Sequence, residues 1–367
     1  MPAPESKKIN YFQSALLQWA AEHPRIMPWK GEADPYKIWL SEIILQQTRV
    51  EQGIPYYIRL LQQYPSVAAL ANSDQDSLMK NWEGLGYYSR ARNLHAAAKI
   101  ILGHHQGVFP KTYSEIRALP GIGDYTAAAI ATFAYNLPYA VVDGNVYRVL
   151  SRICNAHTPI DSATGKKQFA ALANDFLNLK KPAEHNQAIM DFGATLCTAA
   201  NPKCPICPMQ TICSGFQLQS VSQLPVRKKS NTKKRRFFVF LVCRWDNLTL
   251  IQKRIHVDIW KNLYQFPLIE LASLPANNNE ALDLITQHFF SSLDPKNITS
   301  WEISKKYEQT LSHQLVSSQF ITLYLSAQQD ELEKSDLFKT DYSIQPWESL
   351  TLYFAFPRLI HRFLSDH

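Results

Sequence analysis

Apolar residues recur three and four positions apart from Ile9 to about Gly215, with Pro, Gly and Asn breaking the pattern into segments. That spacing predicts an all-helical region. Within it, a helix over Tyr113 to Ala118 runs into Leu119-Pro120-Gly121-Ile122-Gly123, and an alanine-rich helix begins near Asp124. Between Ser214 and Arg236 the periodicity dissolves into Gln, Ser and Pro, then into a run from Arg227 to Arg236 with seven basic residues and no acid, the composition of a linker. Beyond it the period changes. Phe237 to Cys243 and Thr249 to Ile251 read as strands and Leu282 to Phe290 as a helix, so a second domain of mixed α/β character follows the helical one.

Composition narrows the function classes. The chain has 367 residues, enough for two cores, and 46% of them are apolar, which excludes general disorder. Lys and Arg exceed Asp and Glu by 38 to 31, and the resulting charge of +7 favours a polyanionic partner. No apolar run approaches the roughly eighteen residues that cross a bilayer. The first eight residues also lack the apolar core of a signal peptide, so the expectation is a soluble intracellular protein, cytoplasmic if the source is bacterial.

Four of the six cysteines fall within seventeen positions. Cys197, Cys204, Cys207 and Cys213 have the spacing C-x6-C-x2-C-x5-C, and Pro202, Pro205 and Pro208 stiffen the loop between them. Four thiolates so placed suit either tetrahedral zinc or a cubane iron-sulfur cluster; a structural zinc site usually has two C-x2-C pairs, and the single pair here leans toward the cluster. Cys154 and Cys243 stand alone on apolar stretches and read as core residues. The spacing of the four resembles that of the endonuclease III and MutY families of DNA glycosylases. The resemblance implies one structural [4Fe-4S] cluster per chain that contacts DNA and takes no part in bond cleavage.

Gly121 and Gly123 allow a sharp turn with successive N-H groups exposed at a helix start, a ready site for a DNA phosphate, although the pair alone also fits an ordinary helix-helix turn. Some twenty residues later comes Val141-Val142-Asp143-Gly144-Asn145-Val146, in which Asp143 can cap the next helix, where backbone N-H groups favour its ionised form. The hairpin, the following helix and Val-Asp-Gly-Asn together resemble the helix-hairpin-helix glycosylase superfamily, whose essential aspartate matches Asp143. Bifunctional members of the endonuclease III family carry a lysine two residues after the second hairpin glycine, where this chain has Tyr125. A phenol cannot form a Schiff base with the sugar, which excludes lyase chemistry by that route.

Pro35 to Val50 resembles the segment of MutY-type adenine glycosylases that carries the catalytic glutamate, matched by Glu42, with Gln46 and Gln47 in the DNA-contacting part. Taken alone, the stretch reads better as an amphipathic helix with Glu42 on its surface; paired with Asp143 the catalytic reading prevails, and burial among the apolar neighbours on both sides would raise its pKa. Gly84 to Leu94 resembles the family's minor-groove segment, implying that Tyr87, otherwise a packing residue, wedges into the base stack. By the same likeness Arg25, Trp29 and Gln187 line the base pocket, and Tyr125 and Asn145 position Asp143 and water.

The C-terminal part resembles the Nudix-like domain of MutY proteins, with Tyr264 standing in the family's Trp-x-Phe-Pro turn and without the acidic Nudix box, so Mg2+ has no carboxylate ligands there. Ser312 and His313 align with the Phe-Ser-His motif that recognises 8-oxoguanine, with Leu311 in place of Phe. The expected organisation is an all-α catalytic region over 1–216, in which a six-helix hairpin module (about 26–134) is joined by an iron-sulfur module (about 1–25 and 135–216), then a basic linker (217–235) and an α+β Nudix-like domain (236–367). The implied activity is monofunctional removal of adenine opposite 8-oxoguanine or guanine in double-stranded DNA by a monomer. The alternatives are an endonuclease III-like lyase and a damage-binding protein without catalysis.

Overall fold

The computed structural model describes residues 4–228, 232–288, 295–326 and 342–367. Phe289 and Phe290 of the expected helix and Lys229 to Asn231 of the basic run lie outside them. Two compact units emerge, one of residues 1–72 and 93–230, the other of 73–92 and 231–367.

The first unit is helical. Its elements include α1 (Ser6–Glu22), α2 (Pro35–Leu45), α3 (Val50–Gln63) and α4 (Val67–Ala71). After α5 (Gln75–Trp82), which belongs to the other unit, and α6 (Ser89–His104) come α7 (Tyr113–Ala118), α8 (Asp124–Tyr135), α9 (Gly144–Ile153), α10 (Ala163–Phe176) and α11 (Pro182–Thr195). Helix α2 shows how sequence sets position. Asp34 caps it by accepting from the Tyr36 N-H at 2.9 Å, and Pro35 supplies a first residue that needs no donor. Its residues from Ile38 to Ile44 are all buried, as expected of a helix that is apolar on every side, and it packs against α3 and α8. Glu42, the one acid of α2, is thereby carried into the interior.

Helix α7 starts with a capping box between Thr112 and Glu115 and ends at the hairpin. Gly121 turns the chain with φ +77°, and a Cβ there would lie 2.6 Å from Cβ of Asn93, so only glycine fits both the angle and the space. A second core joins distant parts of the sequence. Phe12, Leu16 and Trp19 of α1 pack with Val149 and Leu150 of α9, Phe169 and Phe176 of α10, Phe192 of α11 and the loop residue Met209. Phe12 meets Phe176 and Trp19 meets Phe192 edge to face, each at 5.0 Å. Each such side chain contributes about 1.5–3 kcal/mol by leaving water.

The second unit is built on a mixed sheet of eight strands among the described residues: β1 (Lys234–Trp245), β2 (Leu248–Lys253), β3 (Tyr264–Gln265), β4 (Leu268–Leu271), β5 (Ile298–Ile303), β6 (Tyr307–Thr310), β7 (Gln314–Leu325) and β8 (Tyr342–Pro346). At its centre β1 runs parallel to β7, paired from Lys234 with Gln314 to Arg244 with Tyr324. Both faces are covered, as a parallel pair requires. Val239, Leu241 and Cys243 pack on one side with Ala281 and Ile285 of the helix Asn278–His288. On the other, Phe320 stacks on Phe363 of the C-terminal helix Arg358–Asp366 at 4.0 Å and on Phe240 at 5.0 Å. Helix α5 and its following loop attach to this unit: Asp76 accepts from the Tyr264 phenol at 2.8 Å, and Glu83 accepts from the Phe356 N-H at 2.7 Å.

Candidate active site

The first unit contains a cavity of about 960 Å³, lined in part by Glu42, Tyr125, Asp143 and Asn145. Arg25, Trp29, Gln46, Gln47 and Gln187 share it, so every residue assigned from sequence to the acid-base machinery and the base pocket reaches one space. The hairpin glycines Gly121 and Gly123 lie outside its lining. Trp29 is fixed edge to face on Tyr57, 5.3 Å between ring centres.

Glu42 is only 7% exposed, and burial pushes its carboxyl up to about 7, with the nearby Asp143 charge adding to the rise and a hydrogen bond from the Tyr125 phenol opposing it. Tyr125 stands in the first turn of α8, and its own pKa is raised far above the usual phenol value by burial and the two carboxylates, so it stays a donor. Asp143 caps α9. It accepts from the Val146 N-H and from Asn145 Nδ2, both at 2.7 Å. Those bonds favour the carboxylate, as the sequence suggested, but burial is the larger effect and the net shift is upward. The site therefore couples two carboxyl groups, one buried, hydrogen-bonded by a phenol and poised to hold a proton, the other fixed by a helix start.

Three neighbours of these residues were not singled out from the sequence. Arg148, one turn into α9, donates to Asn145 Oδ1 at 2.8 Å, to the Gly193 carbonyl at 2.6 Å and to the Cys197 carbonyl at 2.7 Å. Gly193 permits this approach of α11 to α9, since a Cβ there would lie 2.6 Å from Cβ of Asn145. Asp191 and Lys30 are the others. Asp191 of α11 accepts from Arg25 at 3.0 Å, Lys30 at 2.9 Å and Gln187 at 3.1 Å. An acid on an otherwise apolar helix stretch was the available clue. Gln46 donates to Thr126 Oγ1 at 3.2 Å, and Gln47 holds φ +59°, a backbone angle rare for a side-chain-bearing residue and a frequent mark of functional loops.

Cys197, Cys204, Cys207 and Cys213 line a separate, narrow cavity with Arg152, whose guanidinium is buried and donates to Cys197 Sγ at 3.3 Å and to the Thr198 carbonyl at 2.7 Å. All four thiols are free. Among the described residues no three His, Cys, Asp or Glu side chains come together as a group that could hold a metal ion. Cys243 is fully buried and Cys154 packs against the helical core, as expected.

In the second unit, the Tyr87 phenol and the Ser312 hydroxyl meet at 2.5 Å, with Tyr87 held at φ +47° directly after Gly86, which, like Gly84, also has positive φ. Both side chains are exposed, as is His313, whose carbonyl accepts from the Lys234 N-H at 3.0 Å. Two segments 225 residues apart thus form one exposed polar and aromatic surface.

Residues 40–174 match the pattern of the HhH-GPD superfamily base excision DNA repair proteins. An adenine DNA glycosylase of Buchnera aphidicola (subsp. Baizongia pistaciae) is 37% identical over 258 residues, spanning 70% of this chain and 73% of its own length. That of Schizosaccharomyces pombe is 27% identical over 90% of this chain and 85% of its own. Among solved structures, a thermostable thymine-DNA glycosylase is similar with TM-score 0.54 and 28% identity over 58% of this chain and 98% of its own. A non-covalent endonuclease III-DNA complex shares the fold with TM-score 0.50 and 20% identity over 57% of this chain and 97% of its own. No described helix is long and apolar enough to cross a membrane.

Proposed function

Since the chain belongs to the adenine DNA glycosylases of the HhH-GPD base-excision repair superfamily, we propose that it hydrolyses the N-glycosidic bond of adenine mispaired with 8-oxoguanine in duplex DNA, with Glu42 as general acid and Asp143 as stabiliser of the sugar cation. The observation that carries the mechanism is Glu42, buried beside Asp143 and hydrogen-bonded by Tyr125, with its carboxyl raised to about 7. A group with that pKa is half protonated at neutrality, which suits an acid that gives up a proton in the transition state.

Glu42 delivers its proton to N7 of an adenine flipped into the cavity. The bond from C1' to N9 breaks with its electron pair moving into the base, which departs neutral. The sugar is left as an oxocarbenium ion, and the Asp143 carboxylate, held by Val146 and Asn145, faces that charge. Water adds to C1', and its proton restores the neutral carboxyl of Glu42. With Tyr125 in the place of a lyase lysine, the reaction stops at the abasic site.

Cys197, Cys204, Cys207 and Cys213 are the residues that would hold a [4Fe-4S] cluster. Their common cavity and the Arg152 donor to Cys197 Sγ fit such a group, which needs four thiolates and hydrogen bonds to sulfur. Bound there, such a cluster would stiffen the loop and take no part in the hydrolysis. Opposite the adenine, the second unit acts as a Nudix-like recognition domain, and the Tyr87-Ser312 pair with His313 reads the oxidised base while the hairpin glycines bind phosphate. The partner is double-stranded DNA and the working form is a monomer.

Single-turnover release of adenine from an A:8-oxoguanine duplex tests the core of this reading. Glu42→Gln lowers the rate by about 10³-fold or more while leaving duplex affinity within a fewfold. In the parent, the rate declines as pH rises through about 7 and Glu42 loses its proton, and it declines on the acid side as Asp143 is protonated, above the ordinary aspartate range. Near-parental turnover by Glu42→Gln overturns the assignment.

A further inference from the structure

The glycosylase reaction builds positive charge twice in the same cavity, on the protonated base and on the sugar. Two permanent cations, Arg25 and Lys30, line that cavity. Unopposed, both would repel the charge that develops. The acids available to oppose them differ in their engagements: Glu32 is paired with Lys37 at 2.9 Å and Glu184 with Lys181 at 3.0 Å. Glu42 must be neutral to act, and Asp143 is committed to the sugar. Asp191 remains. Its side chain is 4% exposed, its Oδ1 takes Arg25, and its Oδ2 takes both Lys30 and Gln187.

We infer that Asp191 is a charge-balancing and positioning residue of this cavity: it holds the segment carrying Arg25 and Lys30 onto α11 and cancels one of the two cations, so that the cavity tolerates a cationic transition state. The inference rests on the adenine-releasing reading of the same site. Arg25, Lys30 and Asp191 together carry one net positive charge; Asp191→Asn makes it two, and adding Lys30→Met returns it to one. A role confined to holding the fold does not follow this arithmetic, because the double variant has lost both ion pairs of Asp191 and one of the partners.

The test is single-turnover adenine release and duplex affinity for the parent, D191N and the double variant D191N/K30M, each as the full chain with its cluster. D191N is expected to slow release by about 10 to 100-fold, the scale of one uncompensated charge in a partly buried site, with duplex affinity unchanged or tighter. Its rate also begins to fall at lower pH than the parent's, since the added positive field favours ionised Glu42. The double variant should regain at least fivefold over D191N. A parental rate in D191N, or a double variant no faster than D191N, overturns the inference. Should D191N fail to fold, the double variant against the parent decides: a loss under about thirtyfold supports charge balance and a greater one refutes it. If the parent itself releases no adenine, the functional reading falls, a result distinct from any of these.

Discussion

The cavity around Glu42 and the surface around Tyr87 and Ser312 handle the same class of group, hydrogen-bonding oxygens, under opposite conditions. Glu42 is 7% exposed and its properties come from what surrounds it: burial raises the carboxyl, Tyr125 donates, and Asp143 repels. Tyr87 is 48% exposed, and the hydroxyl it shares with Ser312 is open to water. In the low dielectric of the first site each interaction is strong and each loss severe, whereas water competes for every bond at the second. Reaction chemistry belongs where the dielectric is low; discrimination between similar bases needs only a few hydrogen bonds made on contact.

The contrast can be broken most forcefully at Glu42 itself, through stability. Its folded-state value of about 7 stands above the ordinary 4.5, so the folded protein prefers the protonated form. Stability from that proton is complete below about 4.5 and is lost as pH rises through 7. The shift amounts to roughly 3 kcal/mol. Glu42→Gln removes the penalty, so its unfolding free energy should exceed the parent's by up to about that amount at pH 8.5 and differ little near pH 4. Denaturant titrations of both proteins at the two pH values check this. Equal stability at pH 8.5 would mean that the carboxylate is far better solvated than its burial implies.

A smaller effect is expected at the exposed surface. Ser312→Ala with His313→Ala should reduce the preference for A:8-oxoguanine over A:G by about 3 to 30-fold, the range of one or two hydrogen bonds to a base, and leave excision from A:G close to parental. Tyr87→Phe isolates the hydroxyl. If the phenol serves to orient Ser312, this variant loses part of the same preference while keeping the ring. Competition between the two duplexes in one reaction measures both, and unchanged preference in the double variant would move recognition elsewhere on the molecule.

The two regions also differ in how legible they were. Local signals located part of the site: Asp143 stood before a helix start and the Gly-x-Gly turn before α8, whereas Glu42 was picked out by resemblance, its own stretch reading as a surface helix. What escaped is non-local. The joining of Asp191 to Arg25 and Lys30 depends on α11 meeting a loop 161 to 166 residues earlier, and no periodicity encodes such a pairing. The upward shift of Asp143 was missed because the helix start argues for ionisation, while the stronger opposing effect, burial, exists only after folding. The helical spacing of residues 73–92, interrupted at Gly84 and Gly86, gives no sign that this segment makes its contacts with the second unit. The parallel pairing of β1 with β7 was equally invisible.

The smallest expected effect lies at the hairpin, which combines features of both regions: backbone groups fixed by a rigid turn, but facing water. An anion site at the start of α8 should not welcome an acid, yet Asp124 is the first residue of that helix and its side chain is 83% exposed. Arg117 answers it, donating from Nε to Asp124 Oδ1 at 2.6 Å and from Nη1 to the Ile122 carbonyl at 2.9 Å. So exposed a pair contributes little to stability, and its consequence is electrostatic. Asp124→Asn removes a negative charge from the phosphate's approach and frees the Arg117 guanidinium, so duplex affinity at low salt should rise by about 2 to 5-fold, with a steeper loss of affinity as salt is added. Asp175→Asn, an exposed acid on α10, changes net charge equally and should have less effect. Equal gains from both substitutions would show that overall charge, not the hairpin, sets the affinity. Gly121→Ala separates the remaining case: its Cβ collides with Asn93, so if the hairpin holds phosphate this change weakens binding whatever Asp124 does.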